Sequence, residues 1–352
     1  MPSVSRLLHL LPPETAHRFT LLALKCGLGP SAAGKDDPVL HTRVWGLDFP
    51  NPVGIAAGFD KNAEAVLPLL KAGFGFVEAG TVTPQAQPGN PQPRLFRLPE
   101  QKAVINRLGF NNEGLEAYVA RLKALANDPF RQKSVVGANL GRNKDQTDAA
   151  ADYVTGVRAV SKLADYVVIN ISSPNTPGLR GLQNKPELSA LLAEVQKARR
   201  TLASPKLPPL LVKIASDLDE AALNNIAEVT LANKVDGLII GNTTLSRPSG
   251  LPPALAQEAG GLSGPPLFSL SNQALRQMYK IIEGKLLLIG VGGIASAEDA
   301  YEKIRLGASL VQLYTGLIYG EPELLADIKR GLATLLRRDG FKSVADAVGT
   351  AR

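Results

Sequence analysis

The sequence predicts an α/β protein: a (β/α)8 barrel with a small N-terminal helical extension. Three observations carry this. Eight short apolar runs recur from residue 51 onward. Stretches of helical period separate them. The runs are uniformly apolar rather than alternating, as strands covered on both faces should be. A doubly wound sheet would usually have fewer strands and a G-x-G-x-x-G turn after the first, and Gly54, Gly58 and Asp60-Lys61 lack that spacing.

Residues 1–30 read as two short helices. In the first, Val4, Leu7, Leu8 and Leu11 form one apolar stripe, ended by Pro12-Pro13. The second starts near Glu14, carries Phe19, Leu21, Leu22 and Leu24, and ends at Gly27 and Gly29-Pro30. Arg6, Arg18, Lys25 and Lys35 outnumber Glu14. A basic amphipathic hairpin suits a membrane interface, and a helical cap on the main domain is the competing reading. Residues 31–43 read as a linker, 44–340 as the barrel and 341–352 as a tail. Val44–Phe49 reads as a short hairpin strand.

The barrel strands are predicted at Val53–Ala57, Gly75–Ala79, Val135–Asn139, Tyr166–Asn170, Leu210–Ile214, Gly237–Gly241, Leu286–Gly290 and Leu310–Tyr314. Helices are predicted at Asn62–Ala72, Gly114–Ala126, Ala149–Leu163, Pro186–Leu202, Glu220–Asn233, Ser271–Glu283, Ala297–Leu306 and Pro322–Arg338. Two connections are too long for turns. Thr81–Asn112 holds a hairpin, Arg94–Leu98 with Ala103–Asn106. Asn242–Leu270 is rich in Gly and Pro. Both follow strands, so both belong to the carboxyl face of the barrel, where an active site is expected.

Composition narrows the chemistry. The 352 residues are 45% apolar with only 5% aromatics, and 33 Gly with 26 Pro point to many tight connections. Cys26 is the only cysteine, so no internal disulfide forms. His9, His17 and His41 are the only histidines, all near the start. A zinc site or a Ser-His or Cys-His pair inside the main domain is therefore not expected, and no metal is assigned. The net charge of +7 comes without a basic cluster interleaved with aromatics, so nucleic acid is not expected as a partner. No apolar segment reaches the roughly 18 residues of a membrane span. The start reads as neither a signal nor a transit peptide.

Polar groups end the strands. They include Gly58-Phe59-Asp60-Lys61, Thr81, Asn139, Asn170 with Ser172-Ser173, Lys213, Asn242-Thr243, Gly292-Gly293 and Tyr314-Thr315. Gly292-Gly293 reads as a phosphate turn or as a plain tight turn. Arg94 and Arg97 alternate with apolar residues and could be the wet face of a hairpin, and Asn111-Asn112 could be a turn or cap. Lys213, inside a buried strand, fits either a Schiff-base aldolase or a flavin enzyme whose lysine faces the reduced ring. So many neutral amides and hydroxyls suit a flat heterocycle better, which favours the flavin.

The motifs then show a resemblance. A-A-G-F-D-K (Ala56–Lys61), E-A-G-T-V-T-P (Glu78–Pro84), G-N-P-Q-P-R-L-F-R-L (Gly89–Leu98), I-N-R-L-G-F-N-N (Ile105–Asn112), I-N-I-S-S-P-N-T-P-G-L-R-G-L (Ile169–Leu182), G-G-L-S-G (Gly260–Gly264) and I-G-V-G-G-I (Ile289–Ile294) resemble the quinone-dependent, membrane-associated dihydroorotate dehydrogenases. P-E-T-A-H (Pro13–His17) resembles their helical extension.

The resemblance implies oxidation of (S)-dihydroorotate to orotate through FMN, in pyrimidine biosynthesis, with electrons passing to a membrane quinone. It implies FMN binding by Ala57, Gly58, Phe59, Asp60, Lys61, Thr81, Asn139, Asn170, Lys213, Gly241, Gly264, Gly293, Tyr314 and Thr315. Substrate would be held by Lys61, Asn106, Arg107, Leu108, Gly109, Phe110, Asn170, Asn175, Asn242 and Thr243. Ser173 would be the base, where soluble relatives use a cysteine. His17, Arg97 and Tyr314 would line a quinone tunnel. Gly241 stands where the family usually has a hydroxyl residue. A monomer held peripherally on the cytoplasmic side of a bacterial cell membrane is the implied setting.

Overall fold

The computed structural model describes residues 8–32, 34–202, 207–249 and 251–351. The first two elements are a helix, α1 (Pro13–Lys25), and a hairpin of β1 (Thr42–Val44) with β2 (Leu47–Phe49). The barrel strands are β3 (Val53–Ile55), β4 (Phe76–Val82), β7 (Val135–Leu140), β8 (Tyr166–Asn170), β9 (Leu210–Ile214), β10 (Gly237–Ile240), β12 (Leu287–Val291) and β13 (Leu310–Leu313). They are all parallel and close in chain order, with β13 pairing back onto β3 through Val311↔Val53. The outer helices are α2 (Val66–Lys71), α3 (Leu115–Leu125), α4 (Ala149–Val160), α5 (Lys185–Arg200), α6 (Glu220–Ala232), α8 (Phe268–Ile282), α9 (Ala297–Arg305) and α11 (Leu324–Arg338). Three shorter helices are α7 (Pro253–Ala256), α10 (Thr315–Tyr319) and α12 (Val344–Ala347).

Period-two alternation sorts each strand. On β8, Val167 and Ile169 pack outward with the helices. Tyr166 and Val168 point into the barrel with Phe76, Val135, Leu211, Ile239, Ile289 and Leu310. The β1–β2 hairpin closes this end: Phe49 is fully buried and meets Phe76 edge-to-face at 5.5 Å. Phe49→Ala is expected to cost ~3–5 kcal/mol, seen as a lower Tm. One layer toward the strand tips, the same inward alternation delivers Glu78, Asn139, Asn170, Lys213 and Gln312. The apolar plug thus lies beneath a polar floor.

Several boundaries differ from the sequence expectation for local reasons. The first barrel helix begins at Val66 rather than Asn62, because Ala63 is left-handed (φ 57) and the Asp60 carboxylate accepts from the Glu64 and Ala65 amides at 2.8 and 2.7 Å. Thr81 lies inside β4 rather than after it. The connection before α8 contributes a strand, β11 (Gly261–Ser263), which joins β5 (Leu95–Leu98) and β6 (Ala103–Asn106) in an antiparallel sheet. Three residues carry too little pattern to announce that strand. The short α10 interrupts the path from β13 to α11. Val344 and Ala347 are fully buried and Ala351 N–H donates to Arg305 O, so the end of the chain packs on α9.

α1 docks on the β5–β6 hairpin through polar contacts. Glu14 accepts from Arg94 Nε at 2.9 Å and Gln92 Nε2 at 2.7 Å. Arg97 donates to the carbonyls of His9 and Leu11 at 2.9 and 3.0 Å. Arg94 is therefore buried against the extension and is not the wet face of a hairpin. Of the two N-terminal helices read from sequence, residues 1–7 of the first lie outside the described residues.

Candidate active site

One continuous cavity of about 940 Å³ opens at the strand tips and runs beneath α1. Its inner end is polar because β4, β8 and β9 present Thr81, Asn170 and Lys213 there. Asn170 Nδ2 donates to Thr81 Oγ1 at 2.9 Å, and Thr81 Oγ1 donates to Asn139 Oδ1 at 2.6 Å. Asn139 Nδ2 donates to Glu78 Oε1 at 2.7 Å. Glu78 is fully buried and also accepts from Gln312 Nε2 at 2.6 Å and the Tyr166 hydroxyl at 3.2 Å. Every neighbour turns a donor toward it, as an interior carboxylate requires.

Lys213 Nζ stands 3.9 Å from Glu78 Oε1, too far for a hydrogen bond, and lines the cavity. Among the described residues it has no hydrogen-bond partner. Burial pushes its pKa down, while Glu78 opposes that shift. A buried ammonium with one distant counterion is suited to an electron-rich group in the cavity.

Ser173, Asn175, Asn106, Asn242 and Thr243 gather on one wall, with Lys61 and Phe110 also on the cavity lining. Ser173 is 6% exposed, and its Oγ accepts from the Asn175 amide at 3.3 Å. Asn175 Nδ2 donates to Asn106 Oδ1 at 3.2 Å. Asn242 Nδ2 donates to Ser172 Oγ at 2.8 Å, which donates to Asn170 Oδ1 at 2.9 Å. Lys61 makes no hydrogen bond or ion pair among the described residues. Its surroundings strip it of water, which lowers its pKa to about 8 against the pull of Glu14.

Ala57, Gly58, Phe59, Leu108, Gly109, Gly264, Gly293, Tyr314 and Thr315 also line the cavity. Gly293 follows the seventh barrel strand with φ +81, and a Cβ there would lie 2.9 Å from the Phe268 backbone nitrogen at the start of α8. Thr315 opens the short α10. Loops after the last two strands plus a short extra helix make the usual phosphate site of a barrel. Gly241 has φ +120, and a Cβ would meet Val291 O at 2.5 Å. This backbone admits only glycine, so the hydroxyl expected at that position has no room.

Three of the residues that the resemblance assigns to FMN or substrate do not reach the cavity wall. Asp60 is 1% exposed and spends its carboxylate on the Glu64 and Ala65 amides. Asn139 is fully buried and braces Thr81 and Asn170 from behind. Arg107 turns outward to Glu258 and to Pro93 O at 2.8 Å, and lies over the Phe96 ring. Asn112 holds the turn into α3, accepting from the Gly114 amide at 2.8 Å. Sequence reading gave no role to Glu78 or Gln312. Glu78 and Gln312 were visible as lone polar residues inside apolar runs.

The outer part of the cavity is apolar, walled by Leu11, Pro13, Ala16 and Leu24 from the extension and by Phe59 and Tyr314 from the barrel. His17 reaches in from α1, 5.3 Å from the Phe59 ring and 6.3 Å from Tyr314. The cavity is thus not free of histidine, although the barrel itself supplies none. Burial and the Lys61 charge lower the His17 pKa to about 3, so its imidazole stays neutral. Arg97 lies on the lining, its guanidinium tied to the extension.

Fold and site together define a barrel enzyme whose chemistry sits at the strand tips and communicates with the surface through an apolar passage. The family model for dihydroorotate dehydrogenase matches residues 39–336. A protein of Azorhizobium caulinodans named dihydroorotate dehydrogenase (quinone) is 55% identical, covering 99% of this chain and 98% of its own. A Mus musculus protein named dihydroorotate dehydrogenase (quinone), mitochondrial, is 53% identical over 99% of this chain and 88% of its own. The crystal structure of an Eimeria tenella DHODH in complex with ferulenol superposes with a TM-score of 0.93 at 41% identity, covering 97% of this chain and 98% of that one. The chain belongs to the dihydroorotate dehydrogenase family, in its quinone-dependent class.

Proposed function

We propose that this chain oxidises (S)-dihydroorotate to orotate, with FMN as its resident cofactor and a membrane quinone as electron acceptor, in pyrimidine biosynthesis. The observation that carries this reading is the single cavity joining the Ser173 wall to the apolar passage under α1. A reductant and a lipid-soluble oxidant can then reach the two ends of one pocket.

The residues present fit FMN. Ala57, Gly58, Thr81, Asn170 and Lys213 would hold the ring, and Gly264, Gly293, Tyr314 and Thr315 the ribityl phosphate end. Asn139 and Asp60 support that cradle from behind. When bound, FMN supplies the two-electron relay between substrate and quinone.

The chain's own side chains do the rest. Lys61 pairs with the substrate carboxylate, and Asn106, Asn175, Asn242 and Thr243 match the amide edges, where an unmatched polar group is costly. Ser173 Oγ takes the proton from substrate C5. A serine hydroxyl needs an outlet for that proton. Thr176 Oγ1 is buried without a partner among the described residues, which suits a water bridge. At the outer end, neutral His17 can donate to a quinone carbonyl, and Arg97 fixes the segment that leads into the helix carrying it.

Leu10, Phe19, Leu22 and Leu28 of the extension are 81%, 51%, 53% and 78% exposed, and Phe19 and Leu28 also line the cavity. Clustered exposed apolar residues mark a contact surface. No helix among the described residues is long and apolar enough to cross a membrane. Peripheral attachment of a monomer to the cytoplasmic face of a bacterial cell membrane accommodates both facts.

The test is a steady-state assay of the purified protein with dihydroorotate and a ubiquinone analogue, fumarate or NAD in parallel. A yellow protein that turns over with the quinone alone supports the reading. Turnover with fumarate or NAD only contradicts it. A colourless protein in which borohydride traps an adduct on Lys213 favours the aldolase.

Lys61 gives a pH prediction. Its folded pKa is depressed to about 8, so the ammonium that pairs with a carboxylate is lost as pH rises through that value. Orotate affinity, measured by calorimetry, is expected to be flat below about pH 8 and to weaken up to ~10-fold per unit above it. Lys61→Met should bind weakly and lose that slope.

A further inference from the structure

We infer that Arg180 is a positioning residue that sets the spacing between the Ser173 segment and the Asn242–Thr243 segment on the wall proposed to hold substrate. The inference rests on the dihydroorotate chemistry proposed above and concerns a residue outside the cavity lining.

Arg180 lies on the 3-10 turn Leu179–Gln183, entered through left-handed Gly178 (φ 69), and its side chain folds back over the loops. Nε donates to Ser172 O at 3.1 Å, Nη2 to Thr243 O at 3.0 Å and Nη1 to Asp217 Oδ2 at 2.9 Å. The same Asp217 oxygen accepts from the Leu245 amide at 3.0 Å. One guanidinium therefore joins the loops that follow three adjacent strands, β8, β9 and β10.

The carbonyl of Ser172 belongs to the peptide plane that carries the Ser173 nitrogen. Because that unit is rigid, fixing the oxygen orients the backbone at Ser173. The Thr243 carbonyl likewise anchors the segment bearing Asn242 and Thr243. Both backbone segments contribute to the same wall of the cavity, and Arg180 bridges them directly. A second link, Asn242 Nδ2 to Ser172 Oγ at 2.8 Å, sets the same separation on the cavity side. An ordinary surface ion pair would leave most of the fork in water. Here the Arg180 and Asp217 side chains are only 24% and 15% exposed, and three different nitrogens each have a separate acceptor. Lysine has neither the planar fork nor the number of fixed directions to replace it.

None of the Arg180 partners belongs to the set proposed to hold FMN or to the quinone passage. Losing the clamp should therefore damage one half of the reaction only. Small displacements of reacting groups can cost ~10²-fold in rate.

The experiment uses the full-length FMN-loaded protein and its Arg180→Lys and Arg180→Ala variants. Orotate affinity, flavin reduction by dihydroorotate, reoxidation by a ubiquinone analogue, FMN content and Tm are measured for each. Arg180→Lys is expected to keep its FMN and its reoxidation rate, to bind orotate ~10-fold more weakly and to be reduced ~10²-fold more slowly. Guanidinium added to Arg180→Ala is expected to restore part of the reduction rate. The inference is overturned if wild type and Arg180→Lys bind orotate and are reduced alike. It is also overturned if FMN content and both half-reactions of Arg180→Lys fall together, or if guanidinium restores nothing to an FMN-loaded Arg180→Ala. A wild-type protein that fails to bind orotate overturns the proposed function itself, and the role of Arg180 with it.

Discussion

Ser173→Ala is expected to keep its FMN and its affinity for orotate while dihydroorotate bleaches the flavin ~10²–10⁴-fold more slowly. The reason is positional and chemical. Ser173 follows a buried strand directly, sits on the cavity wall and is 6% exposed. The barrel contributes no histidine, and neutral His17 belongs to the outer passage beside Phe59. Removing one hydroxyl takes the proton acceptor away and leaves the neighbouring amides intact. Rapid-mixing absorbance under anaerobic conditions measures the effect. A near-normal bleaching rate would remove Ser173 from the mechanism.

The second large effect is expected at the other end of the cavity. A chain lacking residues 1–35 should still be reduced by dihydroorotate but should lose turnover with a ubiquinone analogue and attachment to vesicles. α1 contributes Pro13, Ala16, His17 and Leu24 to the passage, whereas the polar floor comes wholly from the barrel. The contacts that dock α1, centred on Glu14 with Arg94 and on Arg97 with the His9 and Leu11 carbonyls, lie away from Ser173. Quinone turnover that survives the deletion would reduce the extension to a cap.

The barrel was legible in the sequence because each of its strands is a dense apolar run, and the run Tyr166–Asn170 matches its strand end to end. Strand tips were legible because polarity changes abruptly there, as at Asn170 and Lys213. What stayed hidden depended on alternation within a strand or on distant partners. Glu78 looked like part of a motif, yet it is the buried acceptor around which Asn139, Gln312 and Tyr166 are arranged. Asp60 and Arg107 sit in site motifs but face away, because residue type does not reveal which way a loop side chain turns. β11 is too short to carry a period, and it exists only because β6 offers an edge. Arg180 had no signal of its own inside the Ile169–Leu182 motif, because its three acceptors come from three separate loops.

The most direct test of the central claim is an anaerobic titration of the purified protein with (S)-dihydroorotate, followed through the flavin absorbance, and then with a ubiquinone analogue. The account predicts a yellow protein whose visible absorbance bleaches with about one equivalent of dihydroorotate per chain and returns with about one equivalent of quinone, as a two-electron relay requires. A protein without a flavin spectrum, or one whose flavin dihydroorotate leaves oxidised, would contradict it.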